Sequence, residues 1–202
     1  MYIIFFKIAF YLVRINALYL YIAAEAVAHQ VTLPGMFERT ITVFSFSKGM
    51  GLSGYRVGYL VCDDLIMDGM FANAVSVLGA TNTVSQIAMT AALENTEFMD
   101  EFEKAFDFRR KEAYRILNSI PGVSMQMPES GFLCWVDVSR LGSSTEIVEY
   151  LLKEARVSVN DGVNYGIGGE GHIRIVLGVY KDNRKVVDAL EGIRDALLRY
   201  GR

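Results

Sequence analysis

Cysteine and histidine are scarce in this chain, two of each among 202 residues. Cys62 and Cys134 each stand inside an apolar run, which reads as reduced core thiols of a cytoplasmic protein rather than a disulfide framework. With only His29 and His172 beside them, no spacing matches a zinc site, and metal chemistry is not expected. Positive charge is in short supply too. Twenty Lys and Arg face 23 Asp and Glu for a net charge of −3. No basic stripe follows the chain, so a nucleic-acid partner is disfavoured. Repeats and low-complexity segments are missing. What the chain has is apolar mass, 52% against 21% charged residues, the composition of a globular protein with a sizeable core.

Long uninterrupted apolar runs are also lacking. Residues 1–28 are unusually apolar and aromatic, yet Lys7, Arg14 and Glu25 break the stretch, and its longest uncharged piece is Ile15 to Ala24. A membrane helix needs about 20 consecutive apolar residues. A secretory signal places its charge ahead of the apolar part, whereas Lys7 follows six apolar or aromatic residues. A membrane span is therefore not expected. A membrane-surface anchor, a divergent piece of buried core and a start unrelated to the remainder are the open readings, the last preferred. Residues 1–29 are set apart as an atypical segment.

From Gln30 onward the pattern becomes regular. Thr40–Phe46 is β-branched and aromatic and reads as a strand, a glycine-rich turn follows over Ser47–Gly54, and Tyr55–Cys62 reads as a second strand. Asp63 and Asp64 are placed to cap a helix running to Val77, and Thr81-Asn-Thr opens another to about Glu94. Charges alternate with Phe98, Phe102 and Phe106 in a long amphipathic helix, ended by Pro121-Gly122. The phenylalanine stripe reads as core. Beyond it come strands at Val123–Met127 and Phe132–Val138, a helix at Thr145–Ala155, strands at Val157–Asn160 and His172–Leu177, and a closing helix. Alternating strands and helices predict α/β or α+β layers. Residues 30–95 and 96–202 are the expected domains.

Chemistry concentrates in Ser45-Phe-Ser-Lys-Gly-Met-Gly-Leu-Ser-Gly-Tyr-Arg-Val-Gly58. Lys48 stands where a strand gives way to a turn, a position from which a side chain projects off a sheet edge. Ser45, Ser47 and Arg56 offer hydroxyls and a planar guanidinium, donors suited to a phosphate. The intervening glycines let backbone approach a ligand closely. Together these residues describe an amine held next to a phosphate site. Downstream, Arg174 is a polar residue within the apolar run Ile-Arg-Ile-Val-Leu, and the plain alternative is an outward arginine on an edge strand. The Gly166–Gly171 run precedes a strand rather than a helix, which argues against a nucleotide loop. Asp161 and Asn164 read as solvated loop residues.

The Ser45–Gly58 segment resembles the lysine signature of class I/II pyridoxal-phosphate (PLP) dependent aminotransferases. In that family the lysine matching Lys48 is linked covalently to PLP, and residues matching Ser45, Ser47 and Arg56 contact its phosphate. Pro128–Asp137 resembles the small-domain strand that returns towards the active site. Asn164–Ile175 resembles the loop and strand that deliver a carboxylate-binding arginine, here Arg174, with Tyr165 beside the substrate pocket. The resemblance runs from about residue 31 to the C-terminus. It implies an α/β fold, a remnant of the PLP-binding large domain followed by the small α+β C-terminal domain of fold-type-I aminotransferases. It also implies amino-group transfer between an α-amino acid and a 2-oxo acid, a homodimer, and a cytoplasmic location. A carbon–sulfur lyase of the same fold shares the lysine motif. A non-catalytic fragment serving as a binding or oligomerisation module is the reading from another class. One departure is plain. The family's aspartate that pairs with the PLP pyridine nitrogen precedes the lysine, and no Asp precedes Asp63 here.

Overall fold

A computed structural model describes residues 33–79 and 81–200, together with the backbone of 12–15. The remainder of the atypical N-terminal segment, His29 included, lies outside the described residues. The chain divides into two compact units, 1–101 and 102–202.

The N-terminal unit is built on a three-stranded sheet in the order β1 (Leu12–Ile15), β2 (Thr40–Ser45), β3 (Gly58–Val61). β1 runs parallel to β2 and β3 antiparallel, with Ser45 opposite Gly58. Four residues of the atypical segment thus contribute a strand to the sheet. Phe44 and Tyr59 stack across β2 and β3 with ring centroids 4.7 Å apart. The second strand is shorter than its sequence predicts, because Ser53–Tyr55 closes into a 3-10 turn and pairing begins only at Gly58. Three helices follow. α2 (Asp64–Val77) starts where the Asp63 carboxylate accepts the Leu65 amide at 3.0 Å. α3 (Thr83–Glu94) starts where Asn82 accepts the Ser85 amide. α4 (Glu97–Leu117) gives its first turns, through Phe98 and Met99, to the cluster around Phe46, Met50, Val57 and Met89. The residues between β2 and the glycine turn form one helical turn, α1 (Phe46–Gly49).

In the C-terminal unit a four-stranded antiparallel sheet runs β4 (Ser124–Met125), β5 (Leu133–Asp137), β7 (His172–Val176), β6 (Asn160–Asp161). Strand alternation sends Cys134, Val136, Ile173 and Ile175 into a core completed by Ile116 and Leu117 of α4, Ile147 and Leu151 of α5 (Ser144–Glu154), and Leu190 and Ile193 of α6 (Asn183–Leu197). Residues 157–159, expected as strand, are not paired, and β6 covers only two residues. Arg109 fastens α4 to the chain entering α6, donating to the carbonyls of Leu177 and Lys181 and to Asn183 Oδ1. The phenylalanine stripe is less buried than its spacing suggested: Phe98 and Phe106 are half-buried and Phe102 is exposed. Phe106 rests 5.3 Å from Phe132, with the Arg109 guanidinium over its ring. Both cysteines are free and buried. Burial pushes the Cys134 thiol up to about 12, which keeps it protonated. Among the described residues no helix is long and apolar enough to cross a membrane.

Candidate active site

Lys48 sits in α1, and its surroundings explain why it faces outward. Phe46 and Met50, four residues apart on one side of the turn, are buried with Val57. Lys48, midway between them, is left exposed. The turn is closed by Phe46 N donating to Val57 O at 3.3 Å, Leu52 N to Phe46 O at 3.2 Å, and Gly51 N to Lys48 O at 3.1 Å. Gly51 has φ +67°, a conformation that favours glycine. At Gly58 an added Cβ would lie 2.3 Å from the Phe44 carbonyl oxygen, so only glycine lets β2 and β3 meet at the lysine.

Ser45 caps the turn, its hydroxyl accepting the Ser47 amide at 3.2 Å, which leaves the Ser45 hydroxyl proton for another acceptor. Arg56 is a non-glycine residue held at φ +53° and ψ +44°. Its Nη1 donates to the Ser53 carbonyl at 3.0 Å, and its Nε and Nη2 have no hydrogen-bond partner among the described residues. The antiparallel register, Ser45 opposite Gly58, places Arg56 two residues before the strand pair whose other strand leads into the Lys48 turn. Ser45, Ser47, Lys48 and Arg56 are thus gathered in one unit. Two hydroxyls and a guanidinium fork suit a phosphate dianion, and the amine suits an aldehyde, so the donor set fits PLP.

The C-terminal unit carries the second group. Arg174 lies on β7, an inner strand flanked by β5 and β6, and so is not an edge-strand residue. Its Nη1 donates to the Tyr165 hydroxyl at 2.7 Å and to Asn160 Oδ1 at 3.3 Å. Trp135 is its direct cross-strand partner on β5. The two sequence-predicted residues, Tyr165 and Arg174, therefore meet. Asn160 and Trp135 were not singled out by sequence; each is the direct cross-strand partner of Arg174, on β6 and β5 respectively, which places both on its face.

Asp161 does more than meet solvent. Its carboxylate accepts from the Ser144 hydroxyl at 2.7 Å, the Thr145 hydroxyl at 2.6 Å and the Val163 amide at 3.2 Å. The Glu170 carboxylate also accepts from Ser144. Burial raises the Asp161 carboxyl, but these bonds outweigh it and the net displacement is downward. The loop bearing Tyr165 is thereby tied at both ends to the start of α5.

The pattern of the family described as Aminotransferase class I and II matches residues 18–190. An aspartate aminotransferase of Pyrococcus horikoshii is 33% identical over 164 residues, which are 79% of this chain and 41% of that protein. A solved aromatic aminotransferase from the same organism superposes with a TM-score of 0.79 at 30% identity, covering 93% of this chain and 51% of the other. A PLP-bound structure from Clostridium difficile gives a TM-score of 0.70 at 28% identity, over 79% and 42% of the two chains. The chain thus spans about half or less of the length of these relatives. The architecture is the α/β arrangement of fold-type-I aminotransferases, as the lysine segment implied. The chain belongs to the class I and II aminotransferases.

Proposed function

We propose that this chain carries the lysine-bearing and carboxylate-binding parts of a PLP-dependent aminotransferase, moving an amino group between an α-amino acid and a 2-oxo acid. The observation that carries the reading is the Lys48 turn. An exposed amine is braced by two buried hydrophobic neighbours, beside Ser45, Ser47 and an Arg56 fork with open donors. Lys48 Nζ would hold the cofactor through its aldehyde and would serve as the group that takes and returns the proton at the substrate Cα. Ser45, Ser47 and Arg56 hold the phosphate and so fix the ring's position. Arg174 orients the substrate through its carboxylate. PLP, when bound, supplies the electron sink for the pair left at Cα.

The same reading includes a homodimer and a cytoplasmic location. Large exposed apolar residues on α2 and α3 support the first. The two buried free thiols are in keeping with the second.

The test is spectroscopic and chemical. Purified chain is mixed with PLP and scanned in the near ultraviolet and visible, then reduced with borohydride and digested. The reading expects a band present in wild type and absent in Lys48→Ala, and the added cofactor mass on the peptide containing Lys48. A wild type without a Lys48-dependent band rejects it. With PLP loaded, amino transfer to a 2-oxo acid is expected, and thiol release from cystathionine without transfer would show a lyase instead.

A further inference from the structure

Pairing between β6 and β7 stops short. Asn160 lies opposite Arg174, but Ser158 and Val176, the next alternate pair in that register, do not join the ladder. The strands diverge there, and the gap is a cavity of about 290 Å³. Residues 156–158 form one wall and residues 175–177 the other. The floor is a stripe of α6, Val186, Leu190 and Ile193, spaced at i, i+4 and i+7. Val157, Ile175 and Leu177 add to an aliphatic lining. A dry apolar cavity of about 150 Å³ accepts benzene, so this one has room for a larger apolar body. Three extended residues along each wall make it roughly 10 Å long, which suits an alkyl chain.

The mouth carries charge of one sign. Arg156, Ser158 and Tyr180 are exposed there, and the Lys185 ammonium lies 5.6 Å from the centre of the Tyr180 ring. None of the lining residues is acidic. Arg156 stands just beyond the end of α5 at φ +57°, in the left-handed conformation that glycine adopts without strain. A cation near a helix C-terminus is mildly favourable, but Lys153 already supplies one in the last turn. The Arg156 guanidinium has no hydrogen-bond or carboxylate partner among the described residues. Its strained backbone thus secures no contact within the described chain, and an anion at the mouth accounts for it.

We propose that this cavity is a binding site for a medium-chain aliphatic carboxylate. The alkyl chain lies between the two diverging segments on the α6 stripe, where burying each methylene is favourable. The carboxylate stays at the mouth on the Arg156 fork, with the Ser158 hydroxyl as a neighbouring donor. The site lies wholly in the C-terminal unit. It shares no residue with the Lys48 turn or with the Arg174 group, so it stands independently of the aminotransferase reading.

The full chain is titrated by calorimetry with octanoate, butyrate, octanol and octylamine, each kept below the concentration at which it aggregates. One saturable site for octanoate is expected. Butyrate loses most of the buried chain, octanol the charge and octylamine its sign, and each is expected to bind at least tenfold more weakly. Methyl NMR on wild type should place the octanoate shifts at Val157, Val186 and Leu190. Arg156→Gly removes the guanidinium from a backbone that glycine adopts freely, so the fold is kept. In that variant octanoate is expected to bind about tenfold more weakly and octanol as before. Ala189→Phe, which fills the cavity from α6, should abolish binding of both. The absence of saturable octanoate binding overturns the proposal, as does octylamine or octanol binding as tightly as octanoate. Undiminished octanoate binding in Arg156→Gly, or shifts confined to methyl groups elsewhere, overturns it equally. The ligand series and the methyl shifts are read on wild type and decide the matter even if Ala189→Phe misfolds.

Discussion

At Arg56 two demands meet on one residue. Its backbone is left-handed, at φ +53°, a conformation that costs an ordinary residue about 1 kcal/mol and glycine almost nothing. Among the described residues its guanidinium has one hydrogen bond, from Nη1 to the Ser53 carbonyl, and keeps its other donors beside the lysine turn. Arg56→Gly separates the two. The variant is expected to be as stable as wild type or more so by up to about 1 kcal/mol, while its PLP dissociation constant rises tenfold or more through loss of charge-assisted donors. Urea unfolding and a cofactor titration measure the two effects independently; a fall in stability with unchanged PLP affinity would make Arg56 a structural residue only. Gly58→Ala reports the complementary case. With Phe44 O 2.3 Å from the new Cβ, the strand pair that bears Lys48 must open, and a loss of about 3 kcal/mol in urea unfolding is expected. Both residues were legible in the sequence because the motif is local. Ser45, Lys48, Arg56 and Gly58 lie within fourteen positions, and their spacing already contains the strand, turn and strand that position them.

Elements were legible where the signal is periodic and obscure where it depends on pairing. The helices following Asp63 and Asn82 and the alternation in β5 and β7 follow from capping chemistry and a period of two. The binding of Asp161 to Ser144 and Thr145 joins residues some sixteen positions apart across the sheet edge, and nothing local to Asp161 distinguishes it from a solvated loop residue. Residues 157–159 failed as a strand for a related reason. Their apolar β-branched residues suit pairing, but pairing with β7 begins only at Asn160, and Val159 is instead buried in the core. The Asp161 network has a measurable pH signature. Since the folded carboxyl lies below its ordinary value of 3.8, it favours the folded state at pH above that value, and the contribution fades as pH falls through the folded pKa. Asp161→Asn keeps the shape and lacks the charge. Thermal midpoints measured between neutral and acid pH are expected to show the variant below wild type at pH 7, with the gap closing towards pH 3. Parallel curves would mean that the carboxylate's charge contributes nothing to holding the loop.

Two compact units, each with its own buried cluster, make up the described molecule, but they differ in how completely their helices are covered. In the C-terminal unit α5 and α6 each bury one stripe and turn charge outward. In the N-terminal unit α2 and α3 carry large apolar residues on their exposed sides as well as on their buried ones. Leu65 is 83% exposed, Val77 75% and Ile87 65%, while Met70, Ala74 and Met89 are buried behind them. Exposed apolar area on this scale marks a surface that associates. The sequence shows the composition of α2 and α3 but not which residues are left uncovered, because that depends on tertiary packing. We therefore expect the 22.6 kDa chain to self-associate through this face at micromolar concentration, as light scattering coupled to size exclusion would read. Leu65→Glu combined with Ile87→Glu should shift it to monomer mass with little change in stability, since both positions are already exposed and substitutions there seldom exceed about 0.5 kcal/mol. A wild type that runs as a monomer, or a double variant that associates as strongly, would remove this face from the dimer reading and leave homodimer formation to some other surface.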